Sequence, residues 1–213
     1  MLALIKNLHR FILATVIVFT ALFQTGLPRV VDMPDTQPGE YGQWVDPFIG
    51  TGGLPWVSGM LFPGATTPFG MVRLSPDTAW PGGIHPFTCG TAGYYYGHDH
   101  LWGFSHTRLS GTGVEDMGHF RVTPAVGNFD PADRRSKPLV FSHDQETSTA
   151  GYYAVNLPGI DCLAELTATQ HTGAHRYTFR SAKDAHLFID ATSFLADGRA
   201  EEGKINILPE TRE

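Results

Sequence analysis

Residues 160–169 read Ile-Asp-Cys-Leu-Ala-Glu-Leu-Thr-Ala-Thr, with apolar or small side chains at every even-numbered position and mostly polar side chains between them. A period of two places alternate side chains on opposite faces of an extended chain. One face of such a strand can meet a core while the other meets water. The segment therefore predicts a half-buried β-strand.

Other short segments repeat this pattern, and Gly, Pro, Asn and Asp separate them. A continuous apolar run, Leu187–Ile189, predicts a strand that lies between two layers. The further candidate strands, with their apolar residues expected on the core side, are Phe120–Thr123, Tyr153–Leu157, Tyr177–Phe179 and Lys204–Leu208. Several short strands joined by turn residues predict an all-β fold, an antiparallel β-sandwich with long Gly/Pro-rich loops.

Composition agrees with a globular domain of this kind. The 213 residues include 24 Gly and 15 Pro, and 42% are hydrophobic while 17% are charged, so the chain can bury a core and is turn-rich. The net charge of -6, without a stripe of Lys and Arg, argues against a nucleic-acid partner.

The amino-terminal residues predict export to the periplasm, the outer surface or the medium. Basic residues precede the apolar run Phe11–Phe23, which is shorter than the roughly 20 residues that a membrane-spanning helix needs. Residues 1–26 are therefore predicted to be a signal peptide or an uncleaved anchor, and residues 27–43 a proline-containing linker. In an exported chain, Cys89 and Cys162 either form one disulfide or remain free, with Cys162 buried as a small hydrophobic side chain.

Three glycine-rich blocks carry a resemblance to a known family. They are Asp46-Pro-Phe-Ile-Gly-Thr-Gly52, Phe62-Pro-Gly-Ala-Thr-Thr-Pro-Phe-Gly-Met-Val72 and Gly103-Phe-Ser-His-Thr-Arg-Leu-Ser-Gly-Thr-Gly113. In this order they resemble the start of glycoside hydrolase family 92, calcium-dependent exo-α-mannosidases that invert the anomeric centre. The resemblance runs from Trp44 to the last residue, and it implies that residues 44–213 are the N-terminal β-sandwich domain, incomplete at its C-terminus.

The resemblance also implies what the chain does and lacks. The catalytic acid, the base and the Ca²⁺ would belong to a missing C-terminal catalytic domain, which is the expected partner of this one. The full-length protein would remove terminal α-linked mannose from glycoprotein glycans or mannan, and this fragment alone would be inactive. No catalytic residue and no metal ligand is therefore assigned within the chain.

Substrate contact is the use expected for several polar and aromatic residues near the glycine-rich blocks. Sugars stack their apolar faces on aromatic rings and exchange hydrogen bonds with carboxylates, imidazoles and backbone amides. By resemblance, Trp80 is the residue that reaches the active site, with Phe87 as the fallback. The other candidates are Gly52 and Gly53 for close backbone approach, Asp77, Asp99 and His106 for hydrogen bonds, and Trp56 and Trp102 for stacking.

Two other functions compete with this interpretation. The chain could be a non-catalytic carbohydrate-binding β-sandwich module, or a self-contained metal hydrolase built on its histidines. The second alternative would use His98, Asp99, His100, His106, Asp116 and His119. The adjacent carboxylates Glu115 and Asp116 would point to opposite faces of an extended chain, so they are a poor catalytic pair.

Overall fold

The structure is a computed structural model, and it describes residues 42–54, 59–78, 90–128, 138–181, 184–195 and 201–206. The described residues form eleven β-strands and three short 3-10 helices. The strands are β1 (Ala65–Thr66), β2 (Arg73–Pro76), β3 (His100–Leu101), β4 (Phe104–Ser105), β5 (Arg121–Val126), β6 (Leu139–Val140), β7 (Glu146–Thr149), β8 (Tyr152–Leu157), β9 (Cys162–Ala168), β10 (Gly173–Phe179) and β11 (Ala185–Asp190). The 3-10 helices are Gly42–Trp44, His143–Gln145 and Pro158–Ile160.

The strands form antiparallel sheets, as predicted. One sheet has the order β1-β2-β4-β5-β11 and a second has the order β10-β9-β8-β7, while β3 and β6 form a separate pair. The second sheet is a meander, because neighbours in space are neighbours in sequence. Its longest ladder runs from Gly173 opposite Ala168 to Phe179 opposite Cys162. The expected all-β class is confirmed.

The core lies between the two larger sheets. Leu74 and Phe104 from the five-stranded sheet meet Val155, Ala164 and Leu166 from the four-stranded sheet, and all of them are fully or almost fully buried. The even-numbered residues from 162 to 168, which the pattern predicted to face the core, therefore form the core face of β9.

Cys162 lies in this core as a free thiol, and burial raises its pKa to about 11. Cys89 falls outside the described residues.

Strands β5 and β11 form as predicted, but several of their apolar side chains are exposed. Phe104 of β4 is the partner of Val122 in β5, so the side chain of Val122 lies on the same face of the sheet as the core residue Phe104. The four-stranded sheet does not cover this part of the face, and Leu187 and Ile189 are about half exposed. The prediction that Leu187–Ile189 lies between two layers is therefore wrong. The expected burial of Phe120 is wrong as well, since its side chain is 58% exposed.

The opposite face of β5 is buried instead, and it is polar. Arg121 pairs with Asp190 at 3.4 Å across the β5–β11 ladder, and Thr123 donates a hydrogen bond to the carbonyl of Trp102. The backbone N–H of Arg121 also donates to Ser193. Loop residues therefore cover the face for which the alternating pattern predicted solvent.

Several predictions concern the two ends of the chain. Residues 204–206 belong to no strand, so the predicted strand Lys204–Leu208 is wrong over the part that the structure describes. The predicted signal or anchor at residues 1–26 lies outside the described residues, as does most of the predicted linker. Within the described part of the chain, no helix is long and apolar enough to cross a bilayer.

A buried arginine organises the polar side of the five-stranded sheet. The side chain of Arg108 is 0% exposed, and its Nη2 is 3.0 Å from Oδ1 of Asp77. The guanidinium also donates to Oγ of Ser105 and lies 5.3 Å from the ring centroid of Phe62. Its remaining hydrogen bonds go to the backbone carbonyls of Arg73, Ser75, Pro76, Ala92 and Ser105. Arg108 therefore fastens β2, β4 and the loop before β3 to one another.

The two larger sheets are also joined by a pair of histidines. Nε2 of His106, next to β4, is 3.1 Å from Nε2 of His175 on β10. Because Nδ1 of His106 contacts the carbonyl of Phe120, that nitrogen must carry the proton. With both rings neutral, His175 then donates through Nε2 and accepts from the hydroxyl of Tyr177 at Nδ1. The two rings together can take up one extra proton and keep this hydrogen bond. A second extra proton would place an N–H group on both Nε2 atoms, so the hydrogen bond would be lost.

Replacing Arg108 should destabilise the fold strongly. Arg108→Met leaves Asp77 as an uncompensated buried charge and several carbonyls without donors, which costs about 3–5 kcal/mol of unfolding free energy. Arg108→Lys should also lose most of this, because a lysine has fewer donors and no planar fork. Arg180→Met is the matched control, because Arg180 and its ion-pair partner Asp161 are both exposed, and it should cost no more than about 1 kcal/mol. Urea unfolding measures all three, and equal effects of Arg108→Met and Arg180→Met would contradict the role of Arg108.

Acid should weaken the contact between the sheets. Burial lowers the pKa of His175 to about 4, and the neighbouring His106 acts in the same direction. In the unfolded chain the imidazole takes up its proton near its ordinary pKa of about 6.5. This contribution to stability is therefore complete above about pH 6.5 and is lost as the pH falls towards 4, by about 2–3 kcal/mol.

Urea unfolding at a series of pH values tests this effect. The variant His175→Phe should show a shallower loss of stability between pH 6.5 and 4 than the unsubstituted chain. His171→Phe is the control at an exposed position. A His175→Phe variant with the full pH dependence would overturn this explanation.

Candidate functional site

Two consecutive tyrosines hold the glycine-rich loop of residues 50–54, called here the glycine loop. The backbone N–H of Tyr96 donates to the carbonyl of Thr51 at 2.9 Å, and the hydroxyl of Tyr95 donates to the carbonyl of Gly53 at 2.7 Å. A Cβ atom added at Gly52 would lie 2.9 Å from Cβ of Tyr96, so only glycine fits there without a shift. The loop and the two tyrosines form one rigid unit.

The segment before the glycine loop folds for local reasons. A carboxylate oxygen of Asp46 accepts from the backbone N–H of Phe48 at 2.9 Å, which is the turn that an Asp-Pro pair favours. Oγ1 and the backbone N–H of Thr51 both bond the carbonyl of Phe48. Gly53 then adopts a φ of 104°, which other residues rarely do. These bonds present the backbone of Gly52 and Gly53 at the rim of the site.

One side of the site is aromatic. The ring of Tyr96 stacks on His143 with centroids 4.0 Å apart and planes inclined by 15°, and Phe48 meets Tyr96 edge-on at 5.8 Å. The imidazole of His143 also bonds the buried carboxylate of Glu146. His143 begins a 3-10 helix that follows β6. The β3–β6 pair therefore brings this residue to the loop from far along the chain.

The other side carries the histidine-rich stretch after Tyr96. The rings of His98 and His100 stack with centroids 5.4 Å apart, and Tyr95 meets His98 edge-on. Asp99 is exposed, and the hydrogen bond from His100 lowers its pKa. The carbonyl of Asp99 accepts from Phe141, which ties this side to the aromatic side. We call the whole area the clamp surface, formed by the glycine loop, Tyr95, Tyr96, His98, Asp99, His100 and His143.

The structure brings three of the predicted site residues together. Gly52, Gly53 and Asp99 lie on the clamp surface. Asp77 lies behind it, because its carboxylate bonds Arg108 and Ser105 and is 1% exposed. Among the described residues, no donor reaches its second oxygen, Oδ2. Burial raises the pKa of Asp77, while Arg108 acts in the opposite direction.

The other predicted contacts are not on the clamp surface or cannot be placed. His106 bonds His175 and Phe120 at the join between the two sheets. Trp102 is 4% exposed, so it packs in the interior and is not a stacking platform. Trp80, its fallback Phe87, and Trp56 lie outside the described residues, and their roles stay predictions.

Sequence reasoning missed residues that the structure shows to be central. Tyr96 and His143 form the closest aromatic stack of the clamp surface, yet 47 positions separate them (143 − 96). Glu146 is buried where β7 begins, at a position that the sequence does not mark as special. The three consecutive tyrosines at 94–96 are the sequence signal that points to Tyr96.

The charges around the clamp surface select the kind of ligand that it can bind. Burial raises the pKa of the Tyr96 hydroxyl, and so do the nearby carboxylates of Glu146, Asp144 and Asp46. Several acceptors and an aromatic stack suit an uncharged ligand rich in hydroxyl groups, whereas an anion would be repelled. Within the described ranges, no three His, Cys, Asp or Glu side chains are grouped so that they could hold a metal ion.

Enlarging Gly52 should disturb the clamp surface. Gly52→Ala would place its Cβ against Cβ of Tyr96, and relieving that contact should cost about 1–3 kcal/mol of unfolding free energy. Gly159→Ala is the matched control, because an added Cβ there meets nothing within 4 Å. Its effect should stay within about 0.5 kcal/mol. Thermal unfolding of both variants decides the matter, and a neutral Gly52→Ala would show that the loop is not tightly held.

Known proteins share both the sequence and the fold of this chain. Residues 44–213 match the family described as the glycosyl hydrolase family 92 N-terminal domain. A family GH92 α-mannosidase from Bacteroides thetaiotaomicron is 36% identical, with a TM-score of 0.64 over 72% of this chain and 20% of that one. The same relative has also been solved in complex with mannoimidazole.

A curated relative from the fungus Arthroderma benhamiae is described as an uncharacterized secreted glycosidase. It is 29% identical over 147 residues, which is 66% of this chain and 18% of the relative. The chain thus spans about a fifth of the length of these relatives. With a family match over most of its residues and a shared fold, the chain belongs to glycoside hydrolase family 92, and residues 44–213 are its N-terminal domain.

Proposed function

We propose that this domain forms the substrate-facing N-terminal part of an exo-α-mannosidase. In this proposal the clamp surface holds a terminal α-linked mannose of a glycoprotein glycan or of mannan, while an inverting hydrolysis takes place on residues of a C-terminal catalytic domain. The observation that carries the proposal is the glycine loop held by Tyr95 and Tyr96 beside an aromatic stack. The mannoimidazole complex of the Bacteroides relative supports a mannose-like ligand for the family.

The described residues do not supply the calcium site that the family resemblance implies. Ca²⁺ prefers six to eight oxygen ligands, including several carboxylates. No group of this kind occurs in the described part of the chain. We propose, as the family resemblance implies, that the catalytic domain holds the Ca²⁺, the catalytic acid and the base.

The uncovered face of β5 and β11 supports a docking role for this domain. Val126, Leu187 and Ile189 continue the core face of the sheet and are one-third to one-half exposed. Exposed apolar patches on sheets usually mark an interface. We propose that the catalytic domain docks on this face.

Export of the protein is part of the same proposal, and the secreted fungal relative supports it.

A hybrid enzyme tests the proposed function. Residues 44–213 would replace the equivalent part of the Bacteroides α-mannosidase, and release of nitrophenol from 4-nitrophenyl α-mannoside would be measured. The hybrid should hydrolyse this substrate and lose activity with a calcium chelator, whereas residues 1–213 alone should not hydrolyse it. A hybrid that folds, as judged by circular dichroism, but stays inactive would contradict the proposal, and so would turnover by residues 1–213.

The same experiment distinguishes the proposed function from the two alternatives. A non-catalytic carbohydrate-binding module would bind mannosides by itself, but it would not restore hydrolysis to the hybrid. A self-contained metal hydrolase would release nitrophenol without any added domain.

A further inference from the structure

His143 is held by a buried carboxylate in one defined orientation. Its Nδ1 lies 2.7 Å from Oε2 of Glu146. Glu146 is 1% exposed, and it also accepts hydrogen bonds from the hydroxyls of Tyr94 and Tyr153 at 3.0 and 2.7 Å. An ionised carboxylate only accepts hydrogen bonds, so Nδ1 of His143 carries a proton. In the neutral imidazole, Nε2 is then an acceptor.

Glu146 has the features of a positioning residue. A buried carboxylate is costly unless donors surround it, and here three side chains from different parts of the chain supply them. Tyr94 comes from the loop before β3, Tyr153 from β8 and His143 from the helix after β6. The carboxylate therefore fixes both the direction and the tautomer of the imidazole.

The opposite edge of the His143 ring faces the clamp surface. The side chain is 25% exposed although Nδ1 meets a buried partner. Nε2 is not among the buried polar atoms of the described residues that lack a hydrogen-bond partner, so it is accessible to solvent. Tyr96 covers one face of the ring, and Phe141 meets it edge-on with centroids 5.2 Å apart. Among the described residues, no side chain or backbone group bonds Nε2. The ring is thus immobilised while one acceptor remains available.

The surroundings restrict what this acceptor can bind. Asp46 and Asp144 are exposed and close enough to Tyr96 to raise the pKa of its hydroxyl. These carboxylates accept hydrogen bonds and disfavour an anion. A partner for Nε2 must itself donate a hydrogen bond, so a sugar hydroxyl fits and a phosphate does not.

We propose that Nε2 of His143 accepts a hydrogen bond from a hydroxyl group of the bound mannose residue, and that Glu146 acts as its positioning residue. This inference rests on the proposed function, because it takes mannose as the ligand of the clamp surface. It adds a substrate contact that lies far in sequence from the glycine-rich blocks. Tyr96 and His143 together then present one edge of the sugar site.

Titration of residues 1–213 with methyl α-mannoside tests the contact, with the ¹⁵N resonances of the histidine rings as the readout. The Nε2 resonance of His143 should shift on binding, while Nδ1 should keep the shift of a protonated nitrogen. The decisive variant is His143→Asn, whose amide can still donate to Glu146 but has no group at the Nε2 position. It should weaken binding about tenfold, which is the loss of one hydrogen bond.

Two further variants complete the test. His171→Asn makes the same change at an exposed histidine and should leave binding unchanged. Glu146→Gln should disturb the tautomer of His143 and weaken binding while the chain stays folded, as judged by its amide spectrum. A purely structural role of the dyad would leave the Nε2 resonance unmoved by the sugar.

The outcomes separate this inference from the proposed function. If methyl α-mannoside binds but His143→Asn binds equally well, the contact is refuted and the proposed function stands. If residues 1–213 do not bind the sugar at all, the contact is refuted, and the activity of the hybrid enzyme decides the proposed function separately. Binding of mannose 6-phosphate as tight as that of the neutral mannoside would overturn the assigned ligand class.

Discussion

The hydrogen bonds of Arg108 are the constraint on which the rest of this fold depends. Its guanidinium lies behind the five-stranded sheet, where it meets the carboxylate of Asp77 and a set of backbone carbonyls from β2, β4 and the loop before β3. Burying a charge is unfavourable unless it is paired and its donors are used. Because this cation satisfies groups from separate segments, it holds those segments in fixed relative positions. Tyr95, Tyr96, His98 and Asp99 of the clamp surface lie in the last of these segments.

The two faces of the five-stranded sheet have opposite characters, and each has its own consequence. The apolar face packs against the four-stranded sheet over β1, β2 and β4, and over β5 and β11 it includes the exposed side chains of Val126, Leu187 and Ile189. The other face is buried but polar, with the pairs Arg108–Asp77 and Arg121–Asp190. The first face is the one that we propose to meet a catalytic domain. The second supports a preorganised loop region, since charges in a dry environment fix geometry tightly.

The sequence predicts the sheets much better than the site. Residues 160–169 alternate so regularly that the strand and its buried face follow from the pattern, and β8 and β10 behave in the same way. In β5 the alternation is present, but Arg121 and Thr123 are buried while Val126 is exposed. Distant parts of the chain decide which layers cover a strand. A period of two indicates that the two faces of a strand differ in polarity. It does not indicate which face is covered by other parts of the protein.

Sequence motifs pointed to only part of the clamp surface. Gly52 and Gly53 lie in a glycine-rich block, and Asp99 lies in a histidine-rich stretch. His143 and Glu146 belong to no such motif, and the β3–β6 pair brings them to the loop. Nothing in the sequence around Arg108 distinguishes it from an exposed arginine. Its role follows from seven contacts that exist only in the folded chain.

We propose that this domain binds a mannose unit at the clamp surface. A crystal structure of residues 1–213 with methyl α-mannoside tests this most directly. The sugar should lie within hydrogen-bond distance of the glycine loop and of His143, with Tyr96 beside it. A sugar bound instead in the depression of about 240 Å³ on the outer face of β8–β10, lined by Tyr152, Glu165 and Arg176, would contradict it.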